Sequence, residues 1–390
     1  MRRVVITGIA PIIGRVIGKD VFWDMLINKR TQISEVAPEW ERNYKYKSRY
    51  FVPKPELPKV SSIIDEVSNI AIHSARLAKE DSGLENIANF GIVLGVGIGD
   101  LRSSFNSFVS HTSGEGRFNR MVIPMTMPNA AAANIAIDLK IEGFAFTVNT
   151  ACSSGNTAIG EGYLAIKNGR VDGILAGGIE CLDDGAGGIM RAFDVLTTLT
   201  TSSDGFPRPF SRNRGGFLMN MGAGCILVLE ELDHAKKRDA CIYAEIAGYA
   251  HNNDRHSIIQ METSGQKIEE LFDIAKGLEV NYINAHGTGT LQNDELEAAV
   301  IKRVFGEKQP FVNSTKGIIG HSIGASAALE AAVCCLSIKN SAIHGNLTDN
   351  QIEGLNLPVD AVESKIDCAI NCSYGFGGHN TILVLKRYDD

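Results

Sequence analysis

Short runs of β-branched and other apolar residues recur along the chain, separated by longer stretches in which apolar positions return every three to four residues. Residues 4–9, 91–94, 145–149, 173–176, 224–229, 282–284, 368–371 and 381–385 have the length and composition of buried strands. Residues 63–79, 155–167 and 325–338 carry the helical period. Alternation of this kind predicts an α/β architecture in which helices cover sheets. Residues 36–60, with prolines at 53, 55 and 58 and several aromatics, read as an irregular excursion.

Two segments share a form. Around Cys152 an apolar strand, AFTVNT, passes through a turn into a helix of small residues, SSGNTAIGEGYLAI. Around His321 the turn KGIIGHSIGA leads into SAALEAAVCCLSI. Two units that each place a reactive residue at a helix start predict a duplicated fold with the site between its halves. The junction falls near residue 240, after LEELDHAKKRDA. It leaves an N-terminal half, 1–240, with the cysteine, and a C-terminal half, 241–390, with two candidate histidines.

The 390 residues exceed what one hydrophobic core usually serves, which agrees with two cores or a repeated unit. With 44% hydrophobic and 21% charged residues the composition is that of a globular protein. A formal net charge of −7, and no useful run of Lys or Arg, argue against nucleic acid as a partner. Eight cysteines occur without a CxxC pair, mostly in apolar surroundings, so free thiols in a reducing cytoplasm are expected rather than disulfides. The opening MRRVVITGIAPIIGRVIG has the outline of a signal peptide, but Pro11, Arg15 and the glycines interrupt it and no small-residue cleavage site follows. A buried first strand ending in a turn is the more economical reading. No segment reaches the ~18 uninterrupted apolar residues of a membrane span, so no membrane association is expected.

Cys152 follows a predicted strand and opens a helix, whose positive end favours a thiolate. Its neighbours Ala151, Ser153, Ser154 and Gly155 are small enough to admit a substrate. A single cysteine is more often a buried structural thiol, and that reading is kept for the other seven. His286, in NAHGTGT behind the strand 282–284, is placed to reach into a cleft, against the plainer alternative of a turn histidine. His321, in GIIGHSIG at a helix start, is favoured in its neutral form and can donate to a developing oxyanion. GFGG at 375–378 is either a tight turn or a source of backbone N–H groups for a reacting carbonyl oxygen. GxGxG at 95–99 has Asp100 at its sixth position and is a weak dinucleotide signal. No Cys/His spacing points to a metal.

Taken together, TACSSG at 150–155, NAHGTGT at 284–290, STKGIIGHSIGA at 314–325 and NCSYGFGGHN at 371–380 resemble the β-ketoacyl-ACP synthases of the thiolase superfamily. RRVVITGI near the start and GILAGGIE at 173–180 agree in order and spacing, so the similarity covers essentially the whole chain. The resemblance implies a thiolase-like layered αβαβα fold of two similar halves, and usually a dimer. It implies Cys152 as the acyl-accepting nucleophile, His286 and His321 as ligands of the malonyl thioester carbonyl, and Lys316 as an electrostatic support near Glu330. It further implies an oxyanion hole from the backbone N–H groups of Cys152 and Phe376, with Phe376 also gating the acyl pocket. Thr288, Thr290 and Glu330 fall on the substrate side, the threonines meeting a phosphopantetheine arm. No metal or organic cofactor is implied, because the substrates arrive on an acyl carrier protein. The chemistry suits the residue types. A thiolate parks the acyl chain covalently, and two neutral imidazoles hold the enolate left by decarboxylation.

Within the family, QND at 292–294, FWDMLINKR at 22–30 and YAEIAGYA at 243–250 resemble the ketosynthase-α subunit of type II polyketide synthases. The usual partner there is a chain-length factor that lacks the cysteine, so this chain would be the active subunit of a heterodimer. The alternatives are a homodimeric synthase elongating fatty acids, a non-elongating decarboxylase or partner subunit, and a thiolase using Cys372. Several departures stand out. GGFLMNMGAG at 215–224 lacks an acidic residue expected at Asn220 or Met221, and Leu199 stands where many relatives carry an arginine that touches the carrier protein. The stretch after Asn253 is short, and His379 replaces a frequent threonine. They bear on the docking surface and the acyl pocket, not on the triad.

Overall fold

Alternate residues along the strands face different cores. In the last strand Leu383 and Leu385 point into a central core, while Ile382 and Val384 point into an outer one. Both faces of the sheet are buried, as apolar runs without polar alternation require. The computed structural model describes residues 2–389.

Ten strands form one path: β1 (Val4–Ile13), β2 (Gly91–Gly95), β3 (Ala145–Val148), β4 (Gly173–Cys181), β5 (Gly222–Glu231), β6 (Ala244–Asn253), β7 (Tyr282–Asn284), β8 (Phe311–Asn313), β9 (Cys368–Gly375) and β10 (His379–Lys386). Their order is β8-β7-β9-β10-β6-β1-β5-β4-β2-β3, with the short strand Val16–Ile17 turning back on β1. Outward from the β6–β1 pair the two arms run alike. β1 pairs antiparallel with β5 and β6 with β10, and each ladder shifts register at one place, between Ile6 and Gly8 and between Ile246 and Gly248. Further out β4, β2 and β3 are mutually parallel, and so are β9, β7 and β8. The polypeptide makes the same arrangement twice.

All eight strands expected from the sequence are present, with adjusted ends. β1 runs on to Ile13, because Pro11 stays in the ladder opposite Cys225 and gives its carbonyl to the Gly18 N–H at 2.9 Å. The turn falls at Gly14, at φ 53, instead of directly after residue 9. The excursion at 36–60 is largely irregular, but it packs Val36 and Tyr46 into the apolar cluster around Cys152. Its strand Tyr50–Val52 runs beside Met219–Asn220.

Four long helices complete the layers: α1 (Glu66–Ser82), α2 (Ser154–Lys167), α3 (Leu291–Phe305) and α4 (Ser326–Asn340). α1 starts after residue 63 because Asp65 caps it, accepting the Ser68 N–H at 2.7 Å, and Gly83 at φ 69 closes it. It lays Ile70, Ala71, Ala75 and Ala78 on the outer face of the N-terminal arm against Ile92, Leu94 and Ile226. α3 covers the other arm with Leu296, Val300 and Ile301. Between the arms lie α2 and α4, in contact with each other and with strands of both. This gives the order αβαβα.

α4 is buried on all sides from Ser326 to Ile338, as its small and apolar residues require. With the turn before it, the stretch Ile323–Asn340 reaches the length and mean hydropathy (1.2) of a membrane span, although Glu330 and Lys339 break the apolar run. It is 89% buried inside the protein. Where α2 meets α4 there is no room for a side chain: a Cβ on Gly155 would stand 2.6 Å from the Ala328 nitrogen.

Candidate active site

The two central helices begin at the same kind of elbow. After β3, Ala151 adopts φ 52, and a short 3-10 turn, Ala151–Ser153, feeds α2 with Cys152 at its middle. The Ser154 hydroxyl fixes this turn, accepting from the Thr150 N–H at 3.0 Å and donating to the Ala151 carbonyl at 2.7 Å. Before α4, Ile323 adopts φ 48, the turn Ile323–Ala325 follows, and Ser326 accepts the Ser322 N–H at 2.9 Å. A left-handed backbone costs a non-glycine residue ~1–3 kcal/mol and persists where the surroundings impose it. The second elbow carries Gly324 where the first carries the thiol.

Cys152 is 6% exposed and lines a cavity of about 180 Å³. His286, His321, Thr288, Thr290 and Phe376 share that wall, with Phe193 and Phe217 adding apolar surface. Burial pushes the thiol up to about 11, outweighing the opposite pull of Lys316 and of the Phe376 N–H, which is directed at the sulfur. The thiolate expected from the helix start therefore gives way to a resting thiol, because low polarity penalises the charge more than the helix end stabilises it.

His286 follows β7 and is held from behind. The Glu297 carboxylate accepts its backbone N–H and that of Gly287, each at 2.8 Å. Lys316 is fully buried; it donates to the His286 carbonyl at 2.8 Å and to Glu330 at 2.5 Å, and stands 3.3 Å from His286 Nδ1. An ammonium can only donate, so Nδ1 accepts and the ring proton sits on Nε2.

His321 reaches the same state by another route. Its Nδ1 lies 2.8 Å from Ser326 Oγ, which also accepts the Ser322 N–H at 2.9 Å, and with the hydroxyl donating to Nδ1 the ring proton stands on Nε2. Burial lowers both histidines well below the ordinary value, and the Lys316 charge lowers them further, so both are neutral. Their ring centroids are 5.6 Å apart with planes at 86°. Two neutral Nε2–H donors on one cavity can hold an oxygen that gains negative charge.

Residues 1–235 match the family profile of the beta-ketoacyl synthase N-terminal domain, and residues 243–348 that of the C-terminal domain. The chain belongs to the β-ketoacyl synthase family. A 3-oxoacyl-[acyl-carrier-protein] synthase 2 of Coxiella burnetii is 34% identical over 100% of this chain and 99% of its own length. A putative polyketide beta-ketoacyl synthase 1 of Streptomyces halstedii is 32% identical over 98% of each. Among solved structures, the ishigamide ketosynthase/chain length factor gives a TM-score of 0.91 at 27% identity, covering 100% of both chains. A type II polyketide ketosynthase complex with its acyl carrier protein and a hexaketide gives 0.90 at 27% identity, over 99% of this chain and 100% of the other. The fold is the thiolase-like ketosynthase fold, and the activity is that of an acyltransferase forming a carbon–carbon bond.

In this ketosynthase six of the eight residues singled out from the sequence line the cavity, and Lys316 and Glu330 stand behind it. Glu330 is fully buried against Lys316 and so faces the lysine, not the substrate; burial raises its carboxyl to about 7. Cys372 points into the outer core beneath α3, away from the cavity, which removes the thiolase alternative's second thiol. Leu199 is 3% exposed, bridged to Phe217 and packed in the cluster around Cys152, so no surface contact with a carrier protein arises there. Met221 packs in the same cluster, putting apolar volume where an acid was expected. Asn220 instead binds backbone: its amide donates to the Ile319 carbonyl at 2.8 Å, and its N–H to the His321 carbonyl at 3.0 Å.

Sequence reasoning missed several supports of the site. Asp294 accepts the Phe210 N–H at 2.7 Å and the Gly289 N–H at 3.1 Å, and Arg214 donates to the carbonyls of Thr290 (3.2 Å) and Leu291 (2.8 Å). These bonds fix the loop carrying Thr288 and Thr290. The available signal was the spacing of Asp294 and Glu297, two acids one turn apart on the buried face of α3.

Proposed function

We propose that this ketosynthase holds a growing acyl chain as a thioester on Cys152 and lengthens it by decarboxylative condensation with a malonyl unit, as the active subunit of a type II polyketide synthase. The observation that carries the reading is the meeting of one thiol and two neutral Nε2–H donors at a single cavity. In acyl transfer the Cys152 thiol gives up its proton as its sulfur attacks the incoming thioester carbonyl, and the carrier's pantetheine sulfur leaves, taking up a proton to depart as the thiol. The N–H groups of Cys152 and Phe376 stabilise the oxyanion. His286 and His321 then hold the malonyl thioester oxygen while the carboxylate leaves as CO2. The resulting enolate carbon attacks the acyl-cysteine carbonyl, and the sulfur leaves with its electron pair.

Lys316 keeps His286 in its Nε2–H form, Glu330 offsets the lysine's charge, and Phe376 gates the acyl pocket. Thr288 and Thr290 meet the phosphopantetheine arm of an acyl carrier protein, and these steps call for no metal or organic cofactor. The chain divides near residue 240, the first half supplying the thiol and the second both histidines. A reducing cytoplasm suits a reaction that needs Cys152 free. The partner in this reading is a chain-length-factor-like paralogue. The Coxiella burnetii relative favours a second reading, a homodimer elongating fatty acids.

The test is incubation with malonyl-loaded carrier protein, with and without a cysteine-less paralogue. Polyketide product that appears only with the paralogue supports the first reading, and elongation by the chain alone supports the second. Condensation that survives intact in Cys152→Ala would refute both.

A further inference from the structure

One carboxylate ties the glycine-rich loop after β2 to the elbow before α4. Glu180, next to last in β4, is fully buried. It accepts the backbone N–H groups of Gly97 (2.9 Å), Ile98 (3.0 Å), Gly99 (3.0 Å) and Gly324 (3.2 Å). The backbone amides of Gly97, Ile98 and Gly99, in the segment that gave only a weak dinucleotide signal, are thus already engaged. Contact leaves room only for glycine here. A Cβ on Gly97 would stand 2.6 Å from the Glu180 carboxylate, and one on Gly324 would stand 2.4 Å from the Gly97 nitrogen.

What the carboxylate holds bears on the substrate. Ile98 and Ile323 both pack in the apolar cluster that contains Cys152 and Phe376. Ile323 also lines the cavity, and at φ 48 it is a β-branched residue in a conformation such residues rarely take. The Gly324 N–H, one residue on, is the group Glu180 accepts, so the carboxylate restrains the strained turn directly. Burial raises Glu180 to about 7, and its charge in turn raises the Cys152 thiol. The histidines are held by other groups, His286 by Lys316 and Glu297, His321 by Ser326 and the Leu218 carbonyl.

We propose that Glu180 is a positioning residue that sets the apolar wall against which the acyl chain on Cys152 lies, with Ile323 on the cavity and Ile98 packed into the same cluster. This rests on the reading of Cys152 as the acyl carrier. It deepens that reading by making acyl transfer, and not decarboxylation, the step that depends on the carboxylate.

The test compares wild type with Glu180→Gln, which turns amide N–H groups toward the loop's own donors, and with Glu180→Asp, which keeps the charge but falls one methylene short. Acylation of Cys152 by octanoyl and by acetyl thioesters is followed by intact-protein mass, and malonyl decarboxylation by release of CO2. In Glu180→Gln octanoyl loading should fall about tenfold relative to acetyl loading, the equivalent of ~1.4 kcal/mol, with decarboxylation within about twofold of wild type. Glu180→Asp should show the same split to a smaller degree. Equal losses in all three rates together with reduced thermal stability would make the residue merely structural and overturn the proposal, as would no loss at all. Absence of any adduct on wild-type Cys152 overturns the proposed function as well, whereas an adduct without the split overturns only the role of Glu180.

Discussion

Replacing His286 by alanine takes one of two Nε2–H donors out of the cavity and leaves Lys316 bonded to Glu330 and to the backbone carbonyl of residue 286. Loss of one pre-organised oxyanion donor typically costs about 10²–10³ in rate, or ~2.7–4 kcal/mol. The vacated ring volume lies beside the Lys316 ammonium, where a water can enter and return part of a hydrogen bond. The expectation therefore sits near the lower figure, about a hundredfold in malonyl decarboxylation. Acyl loading of Cys152 does not use this donor and should persist.

The assay is release of labelled CO2 from a malonyl thioester, run across pH. Because both histidines lie well below the ordinary 6.5, the working neutral form should survive moderate acid. Wild-type decarboxylation should then change by less than about twofold between about pH 8 and pH 6. A loss under about fivefold in the variant would refute the donor role. An acid limb centred on the ordinary histidine value in wild type would refute the neutral-pair geometry.

Three further outcomes follow from the same interior. With the Cys152 thiol raised to about 11, its alkylation by iodoacetamide should climb about tenfold per pH unit up to about pH 10, and a plateau below pH 9 would contradict the burial argument. Met221→Glu restores an acid at a departure from the family pattern but buries it among Met190, Phe193 and Phe217, so thermal unfolding should show a loss of about 2–4 kcal/mol. His344 is buried and lowered to about 4, so the folded protein binds its proton less readily than the unfolded chain, and stability is lost as pH falls through 6.5 toward 4. His344→Gln should remove about 2 kcal/mol of that loss at pH 5, read from urea unfolding at pH 5 and pH 8.

What could be read from sequence was whatever is written locally. The elbow at Cys152 announces itself as a strand, a turn and a helix of small residues, and its echo at His321 was visible for the same reason. Tyr282–Asn284 was legible because a buried strand needs only its own apolar side chains. Burial of the thiol was not, since the groups that exclude water from Cys152 come from residues as distant as Val36 and Ile323. Glu180 lies beyond the strand read at 173–176 and was given no role, because its partners lie 83 residues before it and 144 after it, and no window spans both. Leu199 was read from its place in the family pattern, which carries no information on which way a side chain faces.

The two elbows carry one further consequence. A site built where two copies of a unit meet starts with the same group on each side, and chemistry that needs one nucleophile and a cradle for its substrate cannot use such symmetry. Here one elbow presents the thiol and the other presents Gly324 at the matching place, where the glycine amide bonds to Glu180. A cysteine-less partner subunit would repeat between chains the asymmetry that the two elbows show within this one.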